Sequence, residues 1–345
     1  MTTTLKLIDI EYLHVGLLFA AVAAVSWFAV GWLIKRLVAR DIVDRPNDRS
    51  LHQGTSPRGG GLVIVVSLII ALGFMSLTSG RPQLFAYLAV LVFVWASVSW
   101  WDDKADLSPK FRLLVQLSFC IFTVFALGWV SHVLSANLLL FGPILSVVGL
   151  LWMANLYNFM DGLDGLAASQ TIVASISLAF WFLMFGDLSL ALVFTVLAAS
   201  SYGFLLWNWN PAKVFMGDVG SISLGGFFGA IFIVGVTRYD ISIISFFSLF
   251  GVFIADATIT ILRRAWHREK IWLPHRQHFY QRLANAGYPH SAIALGSVIL
   301  MLICSVFATF GVIYRDMIEY SLMAIIFTLA AIAILVIVLE KRAKV

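Results

Sequence analysis

Five short strings in this 345-residue chain carry side chains able to handle a phosphoryl group and a divalent cation. Asp102-Asp103-Lys104-Ala105-Asp106 sets three carboxylates within five residues, directly after Trp100-Trp101, with Lys110 and Arg112 following. Acids that close suit a hard cation bound by oxygen, or one of them serves as a base. Adjacent carboxylates at a membrane surface are costly unless paired or cation-bound. Asp106 alone also suits a helix N-terminus. The run Asn155-Leu156-Tyr157-Asn158-Phe159-Met160-Asp161-Gly162-Leu163-Asp164-Gly165 puts two Asp and two Asn into an apolar stretch without a Lys or Arg. On a helix Asp161 and Asp164 would share one face. The two glycines also permit a tight non-helical turn, tolerated at membrane depth only where it lines a cavity. Either way, the neutralising charge must come from another part of the chain.

Asn208-Trp209-Asn210-Pro211-Ala212-Lys213-Val214-Phe215-Met216-Gly217-Asp218 precedes a further apolar run. Asp218 alone reads as a helix cap; beside the other acids it reads as a metal or phosphate residue. Asp44-Arg45-Pro46-Asn47-Asp48-Arg49-Ser50-Leu51-His52 is followed by Pro57-Arg58-Gly59-Gly60-Gly61. Glycines let backbone approach a ligand closely, and Arg49 and Arg58 can bind phosphate; a solvated hinge loop is the plainer reading. Finally, His275-Arg276-Gln277-His278 is a compact donor group or part of an amphipathic interfacial segment. Acids for a cation and basic donors for phosphate fit phosphoryl transfer, where positioning and charge neutralisation dominate.

The elements that must position these strings are membrane helices. Hydrophobic residues make up 61% and charged residues 12%, against about 25% charged in soluble domains. That composition excludes a soluble enzyme and a disordered chain. Two cysteines exclude a disulfide scaffold and a multi-Cys metal site. Apolar runs predict an all-α, polytopic protein with about eleven spans, at 13–34, 62–79, 84–101, 113–131, 138–157, 166–185, 188–207, 221–237, 241–262, 291–313 and 320–339. Residues 1–345 are expected to form one integral membrane domain. Of the 23 lysines and arginines, only Lys6, Arg81, Arg238 and Arg315 fall outside the segments assigned to the cytoplasm. This asymmetry predicts an external N-terminus and a cytoplasmic C-terminus. It also accounts for the net charge of +5 without nucleic acid. All five strings then face the cytoplasm, and a membrane setting implies a lipid reactant.

Taken in order, these strings resemble the polyprenyl-phosphate N-acetylhexosamine-1-phosphate transferases. Asp102-Asp103, Asn158 to Gly165 and Phe215-Met216-Gly217-Asp218 carry the resemblance most specifically, and it extends from Asp44 to Arg282. It implies transfer of a sugar 1-phosphate from a UDP-N-acetylhexosamine to undecaprenyl phosphate in the bacterial inner membrane, with release of UMP and a need for Mg²⁺, for which Mn²⁺ can substitute. By the same resemblance Asp218 is a magnesium ligand, and Asp102 and Asp103 are the catalytic pair that deprotonates or positions the lipid phosphate. Lys110, Asn158, Asp161, Asp164, Phe215, His275, Arg276 and His278 contact nucleotide and diphosphate, with Phe215 stacking on uracil. Members of the family are often dimers, which leaves a homodimer open. His275-Arg276-Gln277-His278 departs from the three consecutive histidines of the lipid I translocase. Pro57-Arg58-Gly59-Gly60-Gly61 stands in place of that enzyme's lysine-containing loop. These departures favour the O-antigen or capsule initiators, with GlcNAc or 6-deoxy-HexNAc donors. An ion-coupled transporter is the main rival, yet carriers place their charges near the midplane. A CDP-alcohol phosphotransferase would need an Arg shortly after Asp161-Gly162.

Overall fold

The computed structural model describes residues 2–40, 43–44, 56–105, 107–129, 141–270, 275–315 and 318–342. Arg49, Asp106, Trp272 and Pro274 lie outside the described residues. The elements are α1 (Thr2–Ala39), β1 (Val43–Asp44), β2 (Ser56–Pro57), α2 (Gly61–Thr78), α3 (Pro82–Ala105), α4 (Pro109–Leu127), α5 (Gly142–Phe159), α6 (Leu166–Met184), α7 (Leu188–Asn208), α8 (Asp218–Tyr239), α9 (Ile243–Leu249), α10 (Gly251–Trp266), α11 (Phe279–Asn285), α12 (His290–Ile313) and α13 (Ile318–Arg342). The two strands form only a two-residue antiparallel ladder, Val43 opposite Pro57 and Asp44 opposite Ser56.

Among the described residues, ten helices are long and apolar enough to cross a membrane, or eleven if α9 and α10, bent by 85° to one another, count as one span. The straight span expected over 241–262 is instead a broken helix pair, the form of a bent span or of a re-entrant loop. A bend frees backbone groups that lipid cannot satisfy. The fully buried Gln170 meets one of them, its Nε2 donating to the Leu249 carbonyl at 3.1 Å. Apolar side chains around the bundle, such as Leu77 at 87% and Phe125 at 78% exposed, form a perimeter suited to lipid and not to water.

α8 is the axis of the bundle. Every residue from Val219 to Val236 is buried, as befits a helix apolar on all sides. Small residues let its neighbours approach at backbone distance. A Cβ on Gly225 would lie 2.4 Å from the Met153 carbonyl oxygen, and one on Gly229 would lie 2.5 Å from Leu150. α5 thus runs antiparallel to α8, and its C-terminus meets the α8 N-terminus. Trp95 of α3 packs on Gly226. Seven residues onward in α3 and seven back in α8 stand Asp102 and Val219, about 10 Å further along each axis and at one level. The acid-bearing strings therefore gather at one end of the bundle. At the other end, Arg81 and Tyr239 both bond to Asp187, and Arg315 pairs with Asp240.

Candidate active site

Asp218 opens α8, where the helix dipole favours a carboxylate. Gly217 before it has a φ of +78°, a region that favours glycine. The segment before α2 and the last turn of α5 converge on the Asp218 Oδ1 atom. The Arg58 guanidinium pairs with it, and Asn158 Nδ2 donates to it at 2.8 Å and to Ser221 Oγ at 3.1 Å. Asp161 belongs to the same cluster. The Gly217 N–H bonds to it, and it feels the charges of Arg58 and Asp218. Burial pushes the Asp161 carboxyl well above the usual carboxylate range, with the Asp218 charge adding to the rise and Arg58 and Gly217 opposing it. The neutralising charge missing from the Asn155–Gly165 string is thus Arg58, about a hundred residues away in the sequence.

Backbone clasps fix Arg58 in place. Phe215 N donates to the Pro57 carbonyl at 2.9 Å, Gly59 N and Gly60 N donate to that of Phe215 at 3.1 and 2.9 Å, and Gly61 N donates to that of Met216 at 3.0 Å. The expectation that these glycines bring backbone to a ligand needs correcting. Their N–H groups are spent on the neighbouring loop. A Cβ on Gly61 would stand 2.7 Å from the Gly220 Cα, and one on Gly60 would stand 2.6 Å from Phe204. At Gly60 and Gly61 the absent side chains make room for protein, whereas the space beside Gly59, at φ +114°, is open.

Asp161 and Asp164 do not share a helical face. α5 ends at Phe159, and a turn closed by Gly165 at φ +76° leads into α6. Asp164 is buried, and its Oδ2 accepts from Asn210 Nδ2 at 2.8 Å and Ala212 N at 3.1 Å. Asn208 adds a second tie, accepting from Gly165 N at 3.0 Å and donating to the Val214 carbonyl at 2.8 Å. These bonds knit the acidic turn to the loop that delivers Phe215 and Asp218. Asp102 is buried and paired with Arg112 at 2.8 Å, while Asp103 is exposed. Lys110 stands exposed in the first turn of α4, and no described contact joins it to the acids.

The histidine string closes the site from α10 and α11. His278 is buried, and its Nδ1 lies 3.0 Å from Asp256 Oδ1, which also accepts from Phe279 N at 2.8 Å. Asp256 Oδ2 accepts from Tyr280 N at 3.2 Å. Tyr280 in turn donates its hydroxyl to the Phe159 carbonyl at 3.0 Å, and its ring fills the space a side chain on Gly162 would need. The histidine loop is thereby latched to the acidic turn. His275 lies 4.9 Å from His278 between ring centres, and its Nδ1 accepts from Gln277 N at 3.3 Å. Burial lowers the His275 pKa to about 4, with the His278, Arg264 and Arg263 charges acting in the same direction and Glu269 opposing them. Its ring is neutral at pH 7 and carries its proton on Nε2, a hydrogen-bond donor. The basic loop is also less open than its composition suggests, since Glu269 bonds Gln277 at 2.9 Å and pairs with Arg264 at 3.5 Å. Asp256 and Tyr280 were not legible as site residues from motifs. The usable signal was an acid placed inside a span, where an ionisable group is expensive.

The profile for glycosyl transferase family 4 matches residues 84–236. A probable undecaprenyl-phosphate N-acetylglucosaminyl 1-phosphate transferase of Bacillus subtilis (strain 168) is 30% identical over 320 residues, covering 86% of this chain and 84% of the relative. The chain belongs to glycosyl transferase family 4. The undecaprenyl-phosphate alpha-N-acetylglucosaminyl 1-phosphate transferase of Escherichia coli (strain K12) is 28% identical to this family 4 chain over 317 residues, covering 86% of it and 83% of the relative. A phospho-N-acetylmuramoyl-pentapeptide-transferase of Synechococcus elongatus is 31% identical over 281 residues, covering 75% of this chain and 74% of the relative.

The donor set fits Mg²⁺. Asp161 and Asp218 stand together beside one guanidinium, and a bound cation would favour the ionised form of Asp161 that burial alone disfavours. No group of three or more His, Cys, Asp or Glu forms a metal cage among the described residues. Mg²⁺ is commonly held by one or two carboxylates, with water and substrate phosphate filling the remaining positions.

Proposed function

We propose that this family 4 protein transfers a HexNAc 1-phosphate, of GlcNAc or 6-deoxy-HexNAc type, from a UDP-sugar to undecaprenyl phosphate. The products are UMP and undecaprenyl-diphosphate-sugar, the first membrane step of O-antigen or another envelope polysaccharide. The observation that carries this reading is the convergence of Arg58, Asn158, Asp161 and Asp218, from three separate parts of the chain, at one end of a membrane bundle. The protein is read as a multi-pass protein of the inner membrane, with its N-terminus outside and this site on the cytoplasmic face.

Asp218 and Asp161 would hold Mg²⁺, which when bound neutralises charge on the donor's diphosphate. Arg58, already against Asp218, turns to a phosphate oxygen as the donor enters. Arg276 grips the diphosphate with its planar fork, and His275 donates its Nε2–H to a phosphate oxygen. Phe215 stacks on uracil, with Lys110 and Asn158 as further nucleotide contacts. Asp102 is held by Arg112 and Asp103 faces the solvent; together they orient the acceptor phosphate. That group is already anionic and needs alignment more than a strong base, so direct in-line attack is the step this chain supports.

The test is a donor panel of UDP-GlcNAc, UDP-6-deoxy-HexNAc sugars and UDP-MurNAc-pentapeptide. Purified protein is supplied with undecaprenyl phosphate and Mg²⁺, and UMP and lipid-linked sugar are measured. Release of UMP with a UDP-HexNAc is expected. Activity with the muramyl donor alone would move the chain to the lipid I branch, and no UMP from any donor would overturn the reading.

A further inference from the structure

We propose that Asp256 is a positioning residue for the transfer, setting the tautomer and orientation of His278; this rests on the function proposed above. Asp256 sits in α10 and is buried, in a span where a carboxylate is expensive without a task. Four donors converge on it: His278 Nδ1 at 3.0 Å, Phe279 N at 2.8 Å, Tyr280 N at 3.2 Å and Thr260 Oγ1 at 3.3 Å. Three of these come from the loop and helix start that follow His275 and Arg276. A carboxylate can only accept, so His278 must donate through Nδ1. The opposite nitrogen, Nε2, then carries the lone pair of the neutral ring.

The neighbouring histidine has the reverse arrangement. His275 Nδ1 accepts from Gln277 N, so its Nε2 carries the hydrogen. Two rings 4.9 Å apart thus present one donor and one acceptor, and a free imidazole would have no such preference. The remaining contacts of His278 hold the plane of its ring. Tyr280 stacks on it at 5.8 Å and 13°, the Phe159 ring lies 6.0 Å away, and its backbone N–H donates to Gln281 Oε1 at 3.2 Å. Asp256 supplies the direction that stacking alone cannot, because a ring flipped about its long axis would keep the same plane.

A double-mutant cycle on the purified full-length protein tests this, since residues acting through one another are non-additive. Asp256→Ala is expected to lower kcat by about 30-fold or more with donor KM changed less than about 3-fold. Asp256→Asn can keep one oxygen on His278 and should recover part of that loss. In a His278→Ala background, Asp256→Ala should cost less than about 3-fold; a full multiplicative loss in that background would overturn the proposal. A second measurement needs no turnover. With ring-¹⁵N histidine, the signal absent from His278→Ala should report a protonated Nδ1 in the wild type and move toward the Nε2–H form in Asp256→Ala. An unchanged signal would also overturn it. If Asp256→Ala is not recovered folded, Asp256→Asn and Asp256→Glu carry the same cycle and the same spectra. Wild-type protein that releases no UMP would defeat the proposed function, while the ¹⁵N result would still decide the tautomer.

Discussion

Asp218 has a geometry that separates chemistry from stability. Its partner Arg58 is 42% exposed, and exposed pairs contribute about 0–1 kcal/mol. Asp218→Asn should therefore leave the melting temperature nearly unchanged while kcat for UMP release falls at least about 100-fold. Near-normal turnover at saturating Mg²⁺ would remove Asp218 from the centre of the site. Arg276 is argued from its fork. Arg276→Lys keeps the charge but loses the paired bonds, so kcat/KM should fall nearly as far as in Arg276→Ala, roughly 30- to 1000-fold. A lysine variant with wild-type kinetics would show that only charge matters there. His275 gives a pH dependence of stability. Its pKa falls from 6.5 to about 4 on folding, so between those values the unfolded chain binds more protons than the native one. This contribution is complete above about pH 6.5 and is lost as the pH drops toward 4. Melting curves from pH 7.5 to 4.5 should fall more steeply for the wild type than for His275→Asn, and parallel curves would remove this assignment.

The loops hold one another. The Pro57–Gly61 segment has its register set by carbonyls of Phe215 and Met216, and the acidic turn is tied to the same loop through Asp164 and Asn208. Gly61→Ala tests this directly. Its Cβ would stand 2.7 Å from the Gly220 Cα, backbone that cannot move aside. Overpacking of this kind costs about 1–3 kcal/mol. The variant should melt at a lower temperature and also lose kcat, because Arg58 three residues earlier shifts with the clasp. A stable, fully active Gly61→Ala would mean the two loops are free to part.

The bundle gathers the candidate site at one end. Lysines and arginines crowd the acid-bearing end. At the other end, two of the four expected there, Arg81 and Arg315, are engaged by Asp187 and Asp240. Those two arginines therefore serve local structure, and the proposed orientation rests on the basic residues of the acid-bearing end. Single cysteines at Lys213 or Gln277 should react with an impermeant thiol reagent only after the inner face is exposed. Labelling of either from outside intact cells would invert the topology and the site with it.

Helical class and the long apolar helices were legible in the sequence, because bilayer thickness and backbone hydrogen bonding leave few choices for a chain that is 61% hydrophobic. Carboxylates in an apolar run also announce themselves by their cost. The pairings were not legible. Nothing local joins Arg58 to Asp218 across 160 residues, or Asp256 to His278. The 85° bend after α9 was hidden too, since hydropathy averages over a window and carries no direction. The glycine run misled for a related reason. A missing side chain records that something approaches closely, and only the packed fold shows that Gly60 and Gly61 make room for Phe204 and Gly220. Composition decides which residues must leave water or lipid, whereas the partner each one finds depends on helix packing, which brings distant loops to one end of the bundle.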